Sequence, residues 1–265
     1  MNIFKLLTDI SKVDEDVFER ISHISRRNMF GAVGKKGMAL AIPALVAGSI
    51  NKAYAATPGA IDVLNFALTL EYLENEFYIK GNNTVGLIPA QDKPIFTQIG
   101  KHETQHVNFL LAALGNKAVA KPNFDFTAKG AFADVFSNYS TFVTASHALE
   151  DTGVRAYKGQ AGNLLASEDL PLLEYALQIH SVEARHASVV RRLMNKRGIV
   201  NGIKGWITLN QGNPAAVYAG DDNLMQGGVN LTGLAGKSNE AISEAFDEPL
   251  TKEAVLAIAM PFIAA

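Results

Sequence analysis

The chain of 265 residues contains no cysteine. That excludes disulfides, zinc–thiolate sites, iron–sulfur clusters, thiol catalysis and an acylated lipoprotein anchor, so any metal must be held by Glu, Asp and His. Charge of one sign is also lacking: 24 basic residues against 26 acidic ones leave a net charge of −2, without the electrostatic footprint of a protein that binds nucleic acid. Long apolar runs are missing too. GMALAIPALVAGSI, from Gly37 to Ile50, contains Pro43 and falls short of the roughly 20 apolar residues that span a bilayer. What remains is 48% hydrophobic, enough to bury a core in one large domain with appendages or in two small ones.

That apolar run has the flanks of an address. Arg26, Arg27, Lys35 and Lys36 precede it, and AYAA follows, with Ala53 and Ala55 as an A-x-A cleavage signal. SRRNMF, from Ser25, resembles a twin-arginine export signal with Met29 where that family has Phe. Residues 1–55 are therefore expected to be a leader and export signal. The mature protein, starting near Ala56, is expected in a bacterial periplasm and spans no membrane.

Helical periodicity dominates the next stretch. Leu64, Ala67, Glu71, Glu74 and Tyr78 fall at steps of three and four over Ile61 to Lys80, and a second helix is expected from Asp92 and Pro94 to Leu114. A third is predicted over Phe132 to Lys158 and a fourth from Asp169 to just before Gly198. The links between helices 1 and 2 and between helices 3 and 4 are short, whereas residues 115–130 make a longer one. The predicted fold class is all-α: a four-helix bundle over residues 56–200 with one long crossover between helices 2 and 3 and no sheet over residues 60–198. Residues 201–265 form a Gly- and Asn-rich extension with two short helices, near Asn239 to Phe246 and Thr251 to Ile258, packed on the bundle. Asp221 and Asp222 fall in a solvated turn without cation-ligand spacing.

Each helical stripe is interrupted near its middle by acid. With 14 Glu and 6 His in 265 residues, chance supplies about 0.3 Glu-x-x-His matches. There are two, Glu103/His106 and Glu183/His186, each with both side chains on one helix face. A lone Glu stands upstream of each, Glu71 and Glu150, and each lone Glu is followed seven residues later by Tyr78 or Tyr157. The set is an internal repeat with an offset of 79 to 80 residues. Four carboxylates in a bundle core would repel and be costly to desolvate; two divalent cations remove both problems. An oxygen and nitrogen donor set of this kind suits two Fe or two Mn ions and leaves positions open to dioxygen or peroxide.

LNFALTLEYLENEFY, HETQH, ALEDTGVRAY and HSVEARH, with the tail AFDEPLTKEAV, resemble the ferritin-like superfamily and its exported bacterial branch akin to desiccation-related proteins. The ligand pattern is similar to that of bacterioferritin, rubrerythrin and manganese catalase. The resemblance covers about residues 58 to 260 and implies Glu71, Glu103, His106, Glu150, Glu183 and His186 as metal ligands. Glu74, one turn from Glu71, either supplements it or stays a surface or outer carboxylate. His147 and His180 each precede a ligand Glu by three residues and either orient it or are core histidines satisfied elsewhere. His102 turns about 100° from Glu103 and is expected to be exposed. Tyr78 and Tyr157 are candidate catalytic groups, as hydrogen-bond donors or radical traps, set against plain core aromatics.

The resemblance implies a redox protein acting on peroxide, dioxygen or Fe2+; iron storage, a close variant, demands a hollow homo-oligomer. The absence of a cysteine-bound iron domain argues against rubrerythrin-type reduction and for a reaction without an outside electron donor. The alternative is a structural or stress-protective bundle whose metal pair only locks the helices, or is absent.

Overall fold

The computed structural model describes residues 56–264, so the predicted leader and export signal lie outside the described residues. Four long helices carry the fold: α1 (Pro58–Asn83), α2 (Lys93–Leu114), α3 (Tyr139–Ala161) and α4 (Leu170–Lys196). The all-α bundle expected from the periodicity is the observed architecture. α1 packs on α2, α3 on α4, and the two hairpins face each other through α1 and α3.

Local chemistry sets the helix ends. α1 starts where Thr57 Oγ1 accepts from the Ala60 N–H at 3.1 Å, with Pro58 preset at the first helical position. α3 starts seven residues later than its periodicity predicts. Asn138 caps it by accepting from the Ser140 and Thr141 N–H groups. Phe132 and Val135, whose spacing imitates a helix, instead sit in successive turns and bury their side chains beside Phe77 and Phe142.

Asp92 and Asp169, each two residues before a proline at the start of a helix, do not cap those helices. Asp169 accepts from Thr57 N–H at 3.1 Å and from Thr57 Oγ1 at 2.7 Å, which ties the start of α4 to the start of α1. Asp92, itself buried, takes both arms of Arg197 at 2.8 and 2.5 Å and the Tyr139 hydroxyl at 2.7 Å. One carboxylate thus fastens the start of α2, the start of α3 and the end of α4.

The crossover between α2 and α3 runs along the bundle and pairs with the chain's end. Phe124 makes an isolated antiparallel bridge with Ile263. Among the described residues the one sheet is a ribbon of β1 (Met225–Gln226) and β2 (Val229–Asn230), closed by Gly227 and Gly228, both at positive φ. The extension also carries α5 (Ala215–Tyr218), α6 (Asn239–Ser243) and α7 (Lys252–Ala259).

Arg155 of α3 holds this extension down. Its guanidinium donates to the backbone carbonyls of Glu248 (2.7 Å), Ala219 (2.8 Å) and Val217. At Gly159 the extension lies so close that a Cβ would fall 1.9 Å from the Leu250 carbonyl oxygen. Covered on its outer side, α3 is buried at every position from Ala145 to Tyr157. Asp221 departs from the expected solvated turn: only Asp222 is exposed, while Asp221 is buried, accepts from the Glu248 N–H at 2.9 Å and faces Arg155. Among the described residues, no helix is long and apolar enough to cross a membrane.

Asp92→Asn should cost about 2 kcal/mol, less than a fully enclosed pair because Arg197 is partly exposed. A thermal melt should record a drop of about 4–8 °C. An unchanged melting temperature would show that the Asp92 junction does not hold the helix ends.

Candidate metal centre

The repeat found in the sequence converges on one place. Glu71 projects from the middle of α1, Glu103 and His106 from α2, Glu150 from α3, and Glu183 and His186 from α4. All six are buried. They form two overlapping donor groups, Glu71/Glu103/His106/Glu183 and Glu103/Glu150/Glu183/His186, each with donor atoms within 4.8 Å of one another. Glu103 and Glu183, the acids of the two Glu-x-x-His pairs, belong to both groups.

His106 Nδ1 lies 3.2 Å from Glu71, 3.0 Å from Glu103 and 3.2 Å from Glu183. His186 Nδ1 lies 3.0 Å from Glu103 and 3.1 Å from Glu150. A single N–H satisfies one of these oxygens, and Glu103 Oε1 and both Glu183 oxygens are left buried without a hydrogen bond. Two donors on one cation, each about 2.1 Å from it and at right angles, lie about 3 Å apart, so these spacings fit shared cations.

A ferritin-like domain model matches residues 59–196, which is the four-helix bundle. The chain belongs to the ferritin-like family. No protein of curated function matches it. In this ferritin-like bundle the buried Glu and His side chains are compatible with bound metal.

The tyrosines tie the two halves together crosswise. Tyr157 of α3 donates to Glu71 of α1 at 2.6 Å, and Tyr78 of α1 donates to Glu150 of α3 and meets Ser146 Oγ at 2.7 Å. Burial, then the adjoining carboxylates, hold both phenols well above their ordinary pKa, so they stay protonated donors. Each fixes one carboxylate oxygen and leaves the other toward the histidines.

Burial and neighbouring carboxylates raise Glu183 and Glu74 well above the usual range. Burial also lifts Glu103, to about 7, against the lowering influence of the close His106 and His186 rings. Burial disfavours charge on the histidines, yet Glu71 raises His106, and Glu150 takes His186 up to about 11. Burial raises Glu71 as well, but His106 outweighs it and holds this carboxylate below its ordinary value. The metal-free cluster therefore carries protons where cations would sit.

Among the outlying residues, His147 takes the second of its two readings and His102 departs from its expectation. His147 does not reach Glu150: its Nε2 lies 2.9 Å from Asp151, beside the Tyr218 hydroxyl, because α3 turns it toward the extension. His180 does not orient Glu183 either, and its Nε2 has no hydrogen-bond partner. His102, expected to be exposed, is half-buried; its ring stacks on His186 and its Nδ1 lies 2.8 Å from His186 Nε2. Glu74 is buried and is no surface carboxylate.

Gly153 explains how Glu74 fits. A Cβ there would lie 2.9 Å from Glu183 Oε2 and 3.3 Å from Glu74 Oε1. The repeat offset that carries Glu71 to Glu150 carries Glu74 to Gly153, so the missing side chain on α3 makes room for the extra acid on α1. The beginning of that offset was visible in the sequence; the need for a glycine at its end was not.

Gly153→Ala gains helix propensity but crowds Glu183 and Glu74, so the metal-free protein should lose about 1–3 kcal/mol of stability, read by a thermal melt. Displacement of the Glu183 carboxylate should weaken Mn2+ binding by about tenfold or more, read by calorimetric titration. Unchanged affinity would remove Glu183 Oε2 from the binding geometry.

Groups whose pKa is raised on folding contribute stability that is complete below their unfolded value and lost as pH climbs through the folded one. The metal-free protein should therefore melt at lower temperature as pH rises from 4.5 through about 7, where Glu103 deprotonates, and on toward about 11 for His186. Mn2+ added at pH 7 should release protons in a pH-stat, with apparent affinity increasing with pH. No proton release would mean that the metal-free histidines are already neutral.

Proposed function

We propose that the mature protein is an exported dinuclear Fe or Mn carboxylate protein acting on peroxide or dioxygen. Its variants are catalase-like, oxidase-like and ferroxidase-like. The observation that carries this reading is the pair of donor groups sharing Glu103 and Glu183 in a buried core, with buried oxygens that no protein donor satisfies. The leader motifs support export to the periplasm, and a twin-arginine route suits a protein that loads metal while folding.

Bound there, a redox-active metal pair would exchange electrons with a small oxidant, one per ion. Glu71 and His106 would hold one ion and Glu150 and His186 the other, with Glu103 and Glu183 available to both. The chain's own contribution is positioning and protons. Tyr78 and Tyr157 fix the outer carboxylates in one orientation. Glu74, buried beside Glu183, places a fifth carboxyl group next to the centre. His102 links His186 Nε2 to Gln98, whose side-chain nitrogen lies 2.7 Å from His102 Nε2 on the exposed side.

A small gap meets the candidate centre at Tyr157. Bounded by Leu64, Ala67, Leu70, Ala156 and Ala176, it has a volume of about 20 Å3. That is room for about one water-sized molecule. Apolar walls of this kind suit dioxygen, and peroxide is within the same size limit.

Metal analysis of protein purified from its own host should give near two Fe or two Mn per chain. The double variant Glu183→Leu/His186→Ala should lose metal and lower peroxide turnover or Fe2+ oxidation by about two orders of magnitude, with its helical circular dichroism kept. Metal near two, a large fall in melting temperature in the variant and no turnover in either protein would establish the structural alternative. Metal near zero in protein never exposed to chelators would end the dinuclear reading.

A further inference from the structure

A second cavity, of about 350 Å3, lies away from the carboxylate cluster, between α3, α4 and the segment that follows α4. Its volume is at the lower end of the range for small-molecule sites. Its lining contains Arg191, Lys204 and His147 and no Asp or Glu. Met194, Ile199, Val200, Ile203 and Trp206 supply an apolar wall.

The polar floor is built and rigid. Arg191, almost wholly buried, donates through Nε and Nη2 to Asp151 at 3.2 and 2.6 Å and through Nη1 to the Trp206 carbonyl at 3.3 Å. Three of its five N–H groups are thus occupied, leaving two. Asp151 also takes the Tyr218 hydroxyl at 2.8 Å and stands 2.9 Å from His147 Nε2, so one carboxylate outside the cavity fixes both Arg191 and His147. At the rim, Lys204 is half-exposed and is held at 2.5 Å by Glu244, another acid that does not line the cavity. The acids neutralise the cations from behind, and the cationic groups themselves line the space.

We infer that this cavity binds a small organic anion: a carboxylate whose apolar body lies against Trp206, Ile203 and Met194 and whose charge faces Arg191 and Lys204. A bare inorganic anion would leave the apolar wall unused. A neutral molecule of the same shape would leave the remaining guanidinium N–H groups unmatched. The site is independent of the metal chemistry proposed above, since none of its lining residues belongs to the donor groups.

The chain contains a single tryptophan, Trp206, which lines this cavity and the smaller one behind it, so its fluorescence reports on this region and the Lys204 variant below assigns a response to the cavity. The full-length metal-loaded protein should be titrated with benzoate, isovalerate, benzamide and inorganic phosphate. Benzoate or isovalerate should shift the emission saturably, and benzamide and phosphate should each bind at least tenfold more weakly. Lys204→Gln, at a half-exposed position, should weaken the carboxylate about tenfold with the helical signal unchanged. Benzamide binding as tightly as benzoate would overturn the charge reading, phosphate binding as tightly would overturn the apolar one, and no saturable response to either carboxylate would overturn the site.

Discussion

Five buried carboxylates, those of Glu71, Glu74, Glu103, Glu150 and Glu183, meet in the middle of four helices, and compensating their charge constrains everything around them. Two like charges at the 4.8 Å spanned by the donor groups repel by about 3–4 kcal/mol at the effective dielectric of a protein interior. A few such pairs would consume the roughly 5–15 kcal/mol by which a fold is stable. Protons on Glu74, Glu103, Glu183 and the two histidines relieve the metal-free cluster, and cations would relieve it more completely.

The surrounding structure keeps those acids in place. Tyr78 and Tyr157 cross between the hairpins, each binding a carboxylate of the other half, so the separation of α1 from α3 is set at the depth of the cluster. Asp92 with Arg197, and Asp169 with Thr57, clamp helix ends far from it. The extension closes the outer side of α3 through Arg155. Order at the centre thus rests on polar contacts at three levels of the bundle, between which the apolar layers of Phe77, Phe96 and Phe142 pack.

Much of this could be read from residue spacing. The two Glu-x-x-His pairs and the two lone acids each sit at a helical step, so their convergence follows once four helices pack through their acid-bearing stripes. The start of α3 was misjudged because Phe132 and Val135 have helical spacing but fold as turns, with Ala128, Lys129 and Gly130 all at positive φ just before them. His102 was misplaced for a different reason, which also left His147 with two readings. A spacing rule names the face of a helix, and it does not say which side chain from another element waits there: His186 for His102, Tyr218 for His147. The role of Gly153 was invisible because it depends on the volume of a residue 79 positions away.

The exchange between Glu74 and Gly153 bears on how such a bundle is inherited. A protein doubled from one hairpin could in principle be rebuilt from two copies of either half. Two copies of α1–α2 would bring two such extra acids to the centre and no gap to receive them. Two copies of α3–α4 would bring two gaps and neither acid. The halves are thus complementary in shape and charge at this point, the extra acid of one hairpin lying in the gap that Gly153 leaves on the other.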